Sequence, residues 1–73
     1  MSAPDQITIQ VNGESRSAPA GLNLEAVLRQ LGFQPLLVVV EFNGRILPRQ
    51  SWSAQPVVES DALEVVTIVG GGS

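Results

Sequence analysis

Few residues of this chain could take part in chemistry, and the missing types narrow the possibilities most. The 73 residues contain no cysteine, histidine, lysine or tyrosine. Without cysteine there is no thiolate nucleophile or disulfide, and without histidine the commonest general base and metal ligand is lost. The carboxylates of Glu59, Asp61 and Glu64 do not have a spacing that selects a metal. We therefore expect no catalytic residue and no metal site.

One stretch could nevertheless take part in chemistry: TIVGGGS, residues 67–73, where β-branched residues are followed by three glycines and a serine. Taken alone, Gly-Gly-Gly-Ser is a flexible linker composition, and terminal residues are often disordered. We therefore divide the chain into a folded domain over residues 1–69 and a flexible tail over residues 70–73. The function of the tail then depends on the domain that carries it.

The composition indicates one small globular domain, since 44% of the residues are hydrophobic and 15% are charged. A net charge of −3 without a basic stripe argues against nucleic-acid binding, whereas a basic protein partner would suit it. The apolar runs are too short to cross a bilayer, and residues 1–6 do not have the pattern of a signal peptide. We expect no membrane association and a cytoplasmic location.

The first half of the chain predicts a hairpin followed by a helix. Residues 7–11 alternate apolar and polar side chains, Asn12-Gly13 is a strong hairpin signal, and residues 14–18 would return as a polar edge strand. Asn23 can cap a helix, and Gly32 can take the left-handed position that ends it. The apolar stripe of this helix consists of Leu24, Val27, Leu28 and Leu31.

The second half predicts three further strands. The apolar run over residues 36–40, followed by Glu41 and Phe42, indicates a strand buried, or nearly so, on both faces. Asn43-Gly44 is a second hairpin signal, leading to a short strand over residues 45–47 that Pro48 ends. Trp52 would lie in a turn or helical loop and pack over the edge of the core. The last strand, over residues 63–69, is best placed in the middle of the sheet, parallel to the first.

The single helix can cover only one face of such a sheet. Some apolar residues of the third and fourth strands should then remain partly exposed, and contiguous apolar exposure on a small protein usually marks a partner surface. The predicted surface contains four apolar residues and one arginine: Val40, Phe42, Ile46, Leu47 and Arg45. For Phe42, Ile46 and Leu47, coverage by the loop around Trp52 is an equally weighted alternative.

This order of elements, ended by glycines, resembles the ubiquitin-like β-grasp fold, and within it the ThiS family, the sulfur carriers of thiamine biosynthesis. The resemblance covers nearly the whole chain. It rests on ITIQVNGE (7–14), NLEAVLRQLGF (23–33), VVVEFNGRILPRQSW (38–52) and SDALEVVTIVGGG (60–72). The part VEFNGRILPRQSW is the most specific. The resemblance implies an α+β fold with one mixed sheet of four to five strands, one main helix on one face and a flexible glycine tail.

The resemblance further implies a carrier and not an enzyme. The carrier would bind no cofactor itself: a ThiF-like adenylating enzyme would use ATP and Mg²⁺ to activate the C-terminal glycine carboxylate. Sulfur would then replace one oxygen, and a ThiG-like thiazole synthase would receive it. Carried over to this chain, Gly72 and Gly71 form the sulfur-carrying end, with Gly70 and Val69 as its tether.

Two residues depart from the family pattern. Ser60 stands where the family usually has glycine, which is a minor change in a turn. Ser73 follows the glycines, although the chemistry needs a glycine carboxylate, so the chain as written should be inactive until it is trimmed. Two other functions remain open: a sister carrier, such as the small subunit of molybdopterin synthase or a carrier for cysteine synthesis, and a β-grasp interaction module whose tail has no role.

Overall fold

The computed structural model describes residues 5–68 of the chain. Val69 and the predicted tail, Gly70, Gly71 and Gly72, lie outside the described residues, as does the predicted domain boundary. The elements follow in the order β1 (Gln6–Val11), β2 (Glu14–Pro19), α1 (Leu24–Gln30), a 3₁₀ turn (Pro35–Leu37), β3 (Val38–Phe42), β4 (Arg45–Ile46), a 3₁₀ segment (Arg49–Ala54) and β5 (Ala62–Thr67).

The five strands form one mixed sheet in the order β2-β1-β5-β3-β4. β5 lies in the centre, parallel to β1 and antiparallel to β3, while β1–β2 and β3–β4 are antiparallel hairpins. The predicted central position of the last strand is therefore confirmed. It follows that the segment leading to the glycines is an interior strand of the sheet.

Both hairpins turn through the two Asn-Gly pairs. Asn12 and Gly13 have φ angles of 53° and 84°, and Asn43 and Gly44 have φ angles of 51° and 86°. Positive φ at both central residues is the requirement of the type I′ turn, whose twist matches that of the flanking strands. The two predicted hairpins are thus confirmed.

Helix α1 begins and ends where its capping residues predict. The Ala26 N–H donates to Oδ1 of Asn23 at 2.8 Å, which satisfies one of the free N–H groups of the first turn. At the other end Gly32 has a φ of 97°, and the N–H of Phe33 donates to the carbonyl of Leu28 at 2.9 Å. This is the Schellman arrangement that glycine permits.

The core fills the space between the sheet and α1. It is formed by alternate residues of β1, β3 and β5 and by the apolar face of the helix, together with Trp52, Val57 and Ala18. The Trp52 indole N–H donates to the carbonyl of Leu47 at 2.9 Å, so this buried side chain has its polar atom satisfied. Trp52 was predicted to pack over the edge of the core; with an exposed fraction of 1%, it is a buried member of the core itself.

Two expectations for the third strand are wrong. Leu36 and Leu37 belong to a 3₁₀ turn, because Pro35 fits its first position and the Leu37 N–H donates to the carbonyl of Gln34 at 2.9 Å. The strand therefore starts at Val38. Val39 is exposed, so this strand is buried on one face only, since no helix of the described residues covers the other.

Ser60 lies in the turn before β5 with a φ of 74°, which L-residues adopt at a cost of roughly 1–2 kcal/mol. Its N–H donates to the carbonyl of Thr8 at 2.9 Å and fixes this conformation. We expect Ser60→Gly to raise the free energy of unfolding by about 0.5–1 kcal/mol, because glycine relieves the strain but has a more flexible unfolded chain. Denaturant melts measure this change.

Ser17→Gly is the matched control for this substitution. Ser17 lies in the extended edge strand β2, so glycine there brings only the entropic penalty and should lower stability. If Ser60→Gly destabilises the protein as much as Ser17→Gly does, the argument from strain at Ser60 is wrong.

Candidate functional site

The sheet face opposite α1 carries the candidate site. Side chains alternate along a strand, so the core positions Val38, Val40 and Phe42 leave Val39 and Glu41 on the other face. Directly opposite residues in an antiparallel pair share a face, which places three residues of the neighbouring strands beside them. These five residues line one shallow depression and are called the open patch: Val39, Glu41, Ile46, Glu64 and Val66.

The apolar members of the open patch are well exposed to solvent. The exposed fraction is 71% for Ile46, 61% for Val66 and 39% for Val39. Ile68, which follows β5, is exposed as well. Val39 and Val66 are directly opposed in register, so the exposure is contiguous. Contiguous exposed apolar surface on a small domain is typical of a protein-binding site.

Two carboxylates lie within this apolar surface. Glu41 and Glu64 are directly opposed across β3 and β5, and Ile46 lies opposite Glu41 on its other side. Like charges in this arrangement destabilise a sheet. Within residues 5–68 the one ion pair joins Arg29 to Glu25 at 3.1 Å, on the helix, so neither patch carboxylate is neutralised there. The open patch therefore carries two negative charges beside its apolar side chains.

The five residues of the predicted partner surface do not all lie on the surface of the structure. Ile46 and Arg45 are exposed, and Leu47 is partly buried against the core. Val40 and Phe42 are core residues with exposed fractions of 0% and 9%, so their assignment to the surface is wrong. The reason is the alternation of β3, which turns both of these side chains towards the helix.

Sequence reasoning missed Val39 and Val66 as members of the surface. The apolar run that contains Val39 hides which residues face outward, because every second position is equally apolar. The available signal was in β5, where Glu64 marks the outward positions and thereby assigns Val66 and Ile68 to the same face.

A side chain from the first hairpin fixes the centre of β5. The register between β1 and β5 ends at Val11↔Leu63, and the Asn12 N–H donates to the carbonyl of Leu63 at 2.8 Å. Beyond that point the Asn12 carboxamide continues the ladder: its Oδ1 accepts from the Val65 N–H at 2.7 Å and its Nδ2 donates to the Val65 carbonyl at 3.2 Å. The carboxamide thus takes the place of one more peptide group.

Asn43 of the second hairpin does the same at the start of β5. Its Oδ1 accepts from the Ala62 N–H at 2.8 Å, while its own N–H donates to the Ala62 carbonyl at 2.7 Å. Its Nδ2 also donates to Asp61 at 3.0 Å. At the far end the Ile68 N–H donates to the carbonyl of Leu37 at 2.8 Å. The strand is therefore held to the last residue before the predicted tether.

Asn12→Gly should lower the free energy of unfolding by about 1–3 kcal/mol, because it removes two side-chain bonds and leaves the Val65 amide without them. Glycine keeps the positive φ of the turn, and its two other effects, relief of strain in the folded state and greater freedom of the unfolded chain, act in opposite directions. Asn12→Asp retains the acceptor but loses the donor, so its free energy of unfolding, measured in denaturant melts, should lie between those of the parent protein and Asn12→Gly. A glycine variant as stable as the parent protein would contradict this role.

The described residues contain no group of three or more histidine, cysteine, aspartate or glutamate side chains that could hold a metal ion. No helix among them is long and apolar enough to cross a membrane. The features that remain as a candidate site are the open patch and the anchored strand β5.

Comparison with known proteins identifies relatives over most of the chain. The model of the ThiS family matches residues 9–72. A thiazole synthase of Magnetococcus marinus is 44% identical over 64 residues, 88% of this chain and 20% of that protein. The chain spans about a fifth of the length of the thiazole synthases it matches. The protein ycf40 of Porphyra purpurea is 35% identical over 66 residues, which are 90% of this chain and 93% of that protein.

The comparison with solved structures concerns the fold directly. The crystal structure of the thiamine biosynthesis protein ThiS from Geobacter metallireducens superposes with a TM-score of 0.75 and 33% sequence identity. The match covers 90% of this chain and 100% of that one. The predicted ubiquitin-like β-grasp fold, with one mixed sheet and one main helix on one face, is confirmed by this match.

Proposed function

The chain belongs to the ThiS family of sulfur carriers, which are not enzymes, and on this premise we propose that it carries sulfur on Gly72 as a thiocarboxylate. The sulfur serves thiazole formation in thiamine biosynthesis. The observation that supports this most is the position of β5, the strand that leads to the glycines. It is central in the sheet and bonded from Ala62 to Ile68, so the domain fixes the point from which the chain continues towards Gly72.

The chemistry requires an enzyme that the carrier does not contain. A carboxylate is a poor electrophile, so one of its oxygens must first become part of a leaving group. An adenylating partner of the ThiF type, using ATP and Mg²⁺, forms the acyl-adenylate on Gly72: the carboxylate attacks the α-phosphate of ATP and pyrophosphate leaves. Attack by a sulfur nucleophile on the carbonyl carbon then expels AMP and leaves sulfur in place of one oxygen. The carrier binds no cofactor of its own in this scheme, which takes place where ATP is at hand, in the cytoplasm.

The three glycines suit delivery of the carbonyl to another protein's active site. Glycine has no Cβ, so residues 70–72 can enter a narrow channel and adopt backbone angles closed to other residues. Their unhindered carbonyl also favours a well-oriented attack. Ordering a glycine segment on docking is entropically unfavourable. Burial of the apolar side chains of the open patch against the partner offsets that loss.

The second partner that we propose is a thiazole synthase, which receives the sulfur. The support for it is that two curated thiazole synthases contain a segment 41–44% identical to this chain within a much longer polypeptide. Joining a carrier and an enzyme in one chain holds each at a high effective concentration near the other. Such a fusion suits two proteins that must bind each other in every reaction cycle. Docking through the open patch serves the same purpose for separate chains.

Reconstitution tests the proposal directly. The chain ending at Gly72 is incubated with the adenylating enzyme, ATP, Mg²⁺ and a sulfur source, and the intact protein is weighed. We expect a mass increase equal to the exchange of one oxygen for one sulfur, and no change for the chain that retains Ser73. If no such species forms from the Gly72 form, the proposed function is wrong. Adding thiazole synthase or the large subunit of molybdopterin synthase then identifies the acceptor.

A further inference from the structure

We propose that Glu41 and Glu64 together receive one arginine or lysine side chain of the docking partner, within the open patch and beside its apolar side chains. The inference rests on the proposed function, because the partner is one of the enzymes that act on the carrier. It adds to that function the chemistry by which the partner is recognised: an apolar contact surface that presents a single cation to the carboxylate pair.

The register brings the two carboxylates within reach of one cationic group. The Asn43 N–H donates to the Ala62 carbonyl and the Ile68 N–H donates to the Leu37 carbonyl. The even-numbered residues of β5 therefore direct their backbone N–H and C=O groups towards β3. Glu41↔Glu64 is therefore a hydrogen-bonded pair, whose Cα atoms are about 5.5 Å apart in sheets of this type. A planar guanidinium, with five N–H donors, can bond both carboxylates at once.

The chain supplies no cation of its own to this pair among the described residues. The single ion pair there uses Arg29 with Glu25. Arg45 is the arginine nearest to Glu41 in the sheet. It is paired with Phe42, whose side chain faces the helix, so the Arg45 side chain leaves the sheet on the helix side and not on the side of the open patch. An uncompensated carboxylate pair destabilises the free domain, and a cation from outside would relieve that repulsion.

The surrounding apolar side chains make such an external cation effective. Val39, Ile46 and Val66 flank the carboxylates and would be covered by the partner. Covering them removes water from around the charges, which strengthens attraction to a paired cation and penalises a partner that lacks one. The arrangement therefore favours a basic partner over a purely apolar one.

A second copy of this chain is the wrong occupant on the same grounds. A two-fold dimer through the open patch would apply the same surface to itself. It would bring two copies of the Glu41–Glu64 pair into one interface, in a chain whose net charge is already −3. The carboxylates thus oppose self-association through an apolar surface that would otherwise favour it.

Glu41→Gln/Glu64→Gln tests the inference, with Asp5→Asn/Glu14→Gln as the control that makes the same change in net charge on exposed residues elsewhere. Binding of each form to the purified adenylating enzyme and to the purified thiazole synthase of the same organism is measured by calorimetry at low and moderate salt. We expect the patch variant to bind at least one of them with a Kd raised tenfold or more, and with a weaker salt dependence. The control should stay within threefold of the parent chain.

A Kd for the patch variant within threefold of the control, for both enzymes, overturns the inference, as does a parent chain that binds neither. Circular dichroism melts of the variants show that each is folded; relief of the carboxylate repulsion should leave the patch variant at least as stable as the parent. Thiocarboxylate formation is measured in the same samples. If the parent chain gains sulfur and the patch variant binds normally, the cation site is wrong but the proposed function stands. If the parent chain never gains sulfur, the proposed function is wrong.

Discussion

A chain without residues 70–73 is expected to lose thiocarboxylate formation completely while keeping its fold. The deletion removes Gly72, the proposed acceptor of sulfur, and no residue of the described core. The central strand keeps its bonds through Ile68, so the unfolding transition should be unchanged. Intact mass after reconstitution measures the first effect, and a denaturant melt measures the second.

The matched control removes four residues from the other end, residues 1–4. This chain should still accept sulfur when it ends at Gly72, because neither β5 nor the open patch is altered. Calorimetry with the adenylating enzyme adds a further distinction, since the tail-deleted chain should retain docking through the open patch with reduced affinity. Sulfur on a chain that lacks residues 70–73 would place the chemistry elsewhere and refute the role of the tail.

Leu28→Ala is expected to lower the free energy of unfolding by about 2–5 kcal/mol, the range for truncating a fully buried leucine. Leu28 has an exposed fraction of 0% and packs from α1 onto the sheet. The truncation leaves a cavity that the surrounding strands cannot fill without shifting. Since each kilocalorie per mole lowers the melting temperature of a domain of this size by roughly 4–8 °C, thermal and denaturant melts both detect the change.

Leu36→Ala is the control for this substitution, because Leu36 is the same residue type but exposed in the 3₁₀ turn. Its expected effect is within about 0.5 kcal/mol, as for most surface positions. Equal losses for the two variants would mean that the helix does not bury the face assigned to it. A loss for Leu28→Ala well below a kilocalorie per mole would lead to the same conclusion.

The predictions that succeeded depend on short-range chemistry. Asn-Gly at two hairpins, Asn23 at the start of α1 and Gly32 at its end each impose a backbone conformation within a few residues. Such signals can be read from the sequence because the residues that interact are close along the chain. The central position of β5 also followed, since one amphipathic helix and five strands leave few ways to bury the last strand.

The parts that failed depend on long-range pairing. A uniform apolar run does not reveal which of Val39 and Val40 faces the helix, because both fit a buried position, and only the register with β5 decides it. The second role of Asn12 was invisible for the same reason: its carboxamide meets Val65, 53 residues away along the chain. A side chain chosen for a turn gives no sign that it also completes a neighbouring strand.

The parallel arrangement of β1 and β5 has a mechanical consequence. The amino end of β1 and the carboxyl end of β5 point in opposite directions, so tension applied between them loads the strands in shear. The bonds from Gln10 to Asp61, from Asn12 to Leu63 and from Val65 to the Asn12 side chain then bear the force together, instead of opening one after another. In the proposed function, an enzyme that draws residues 70–72 into its channel would pull β5 along this direction, and these bonds would resist the pull together.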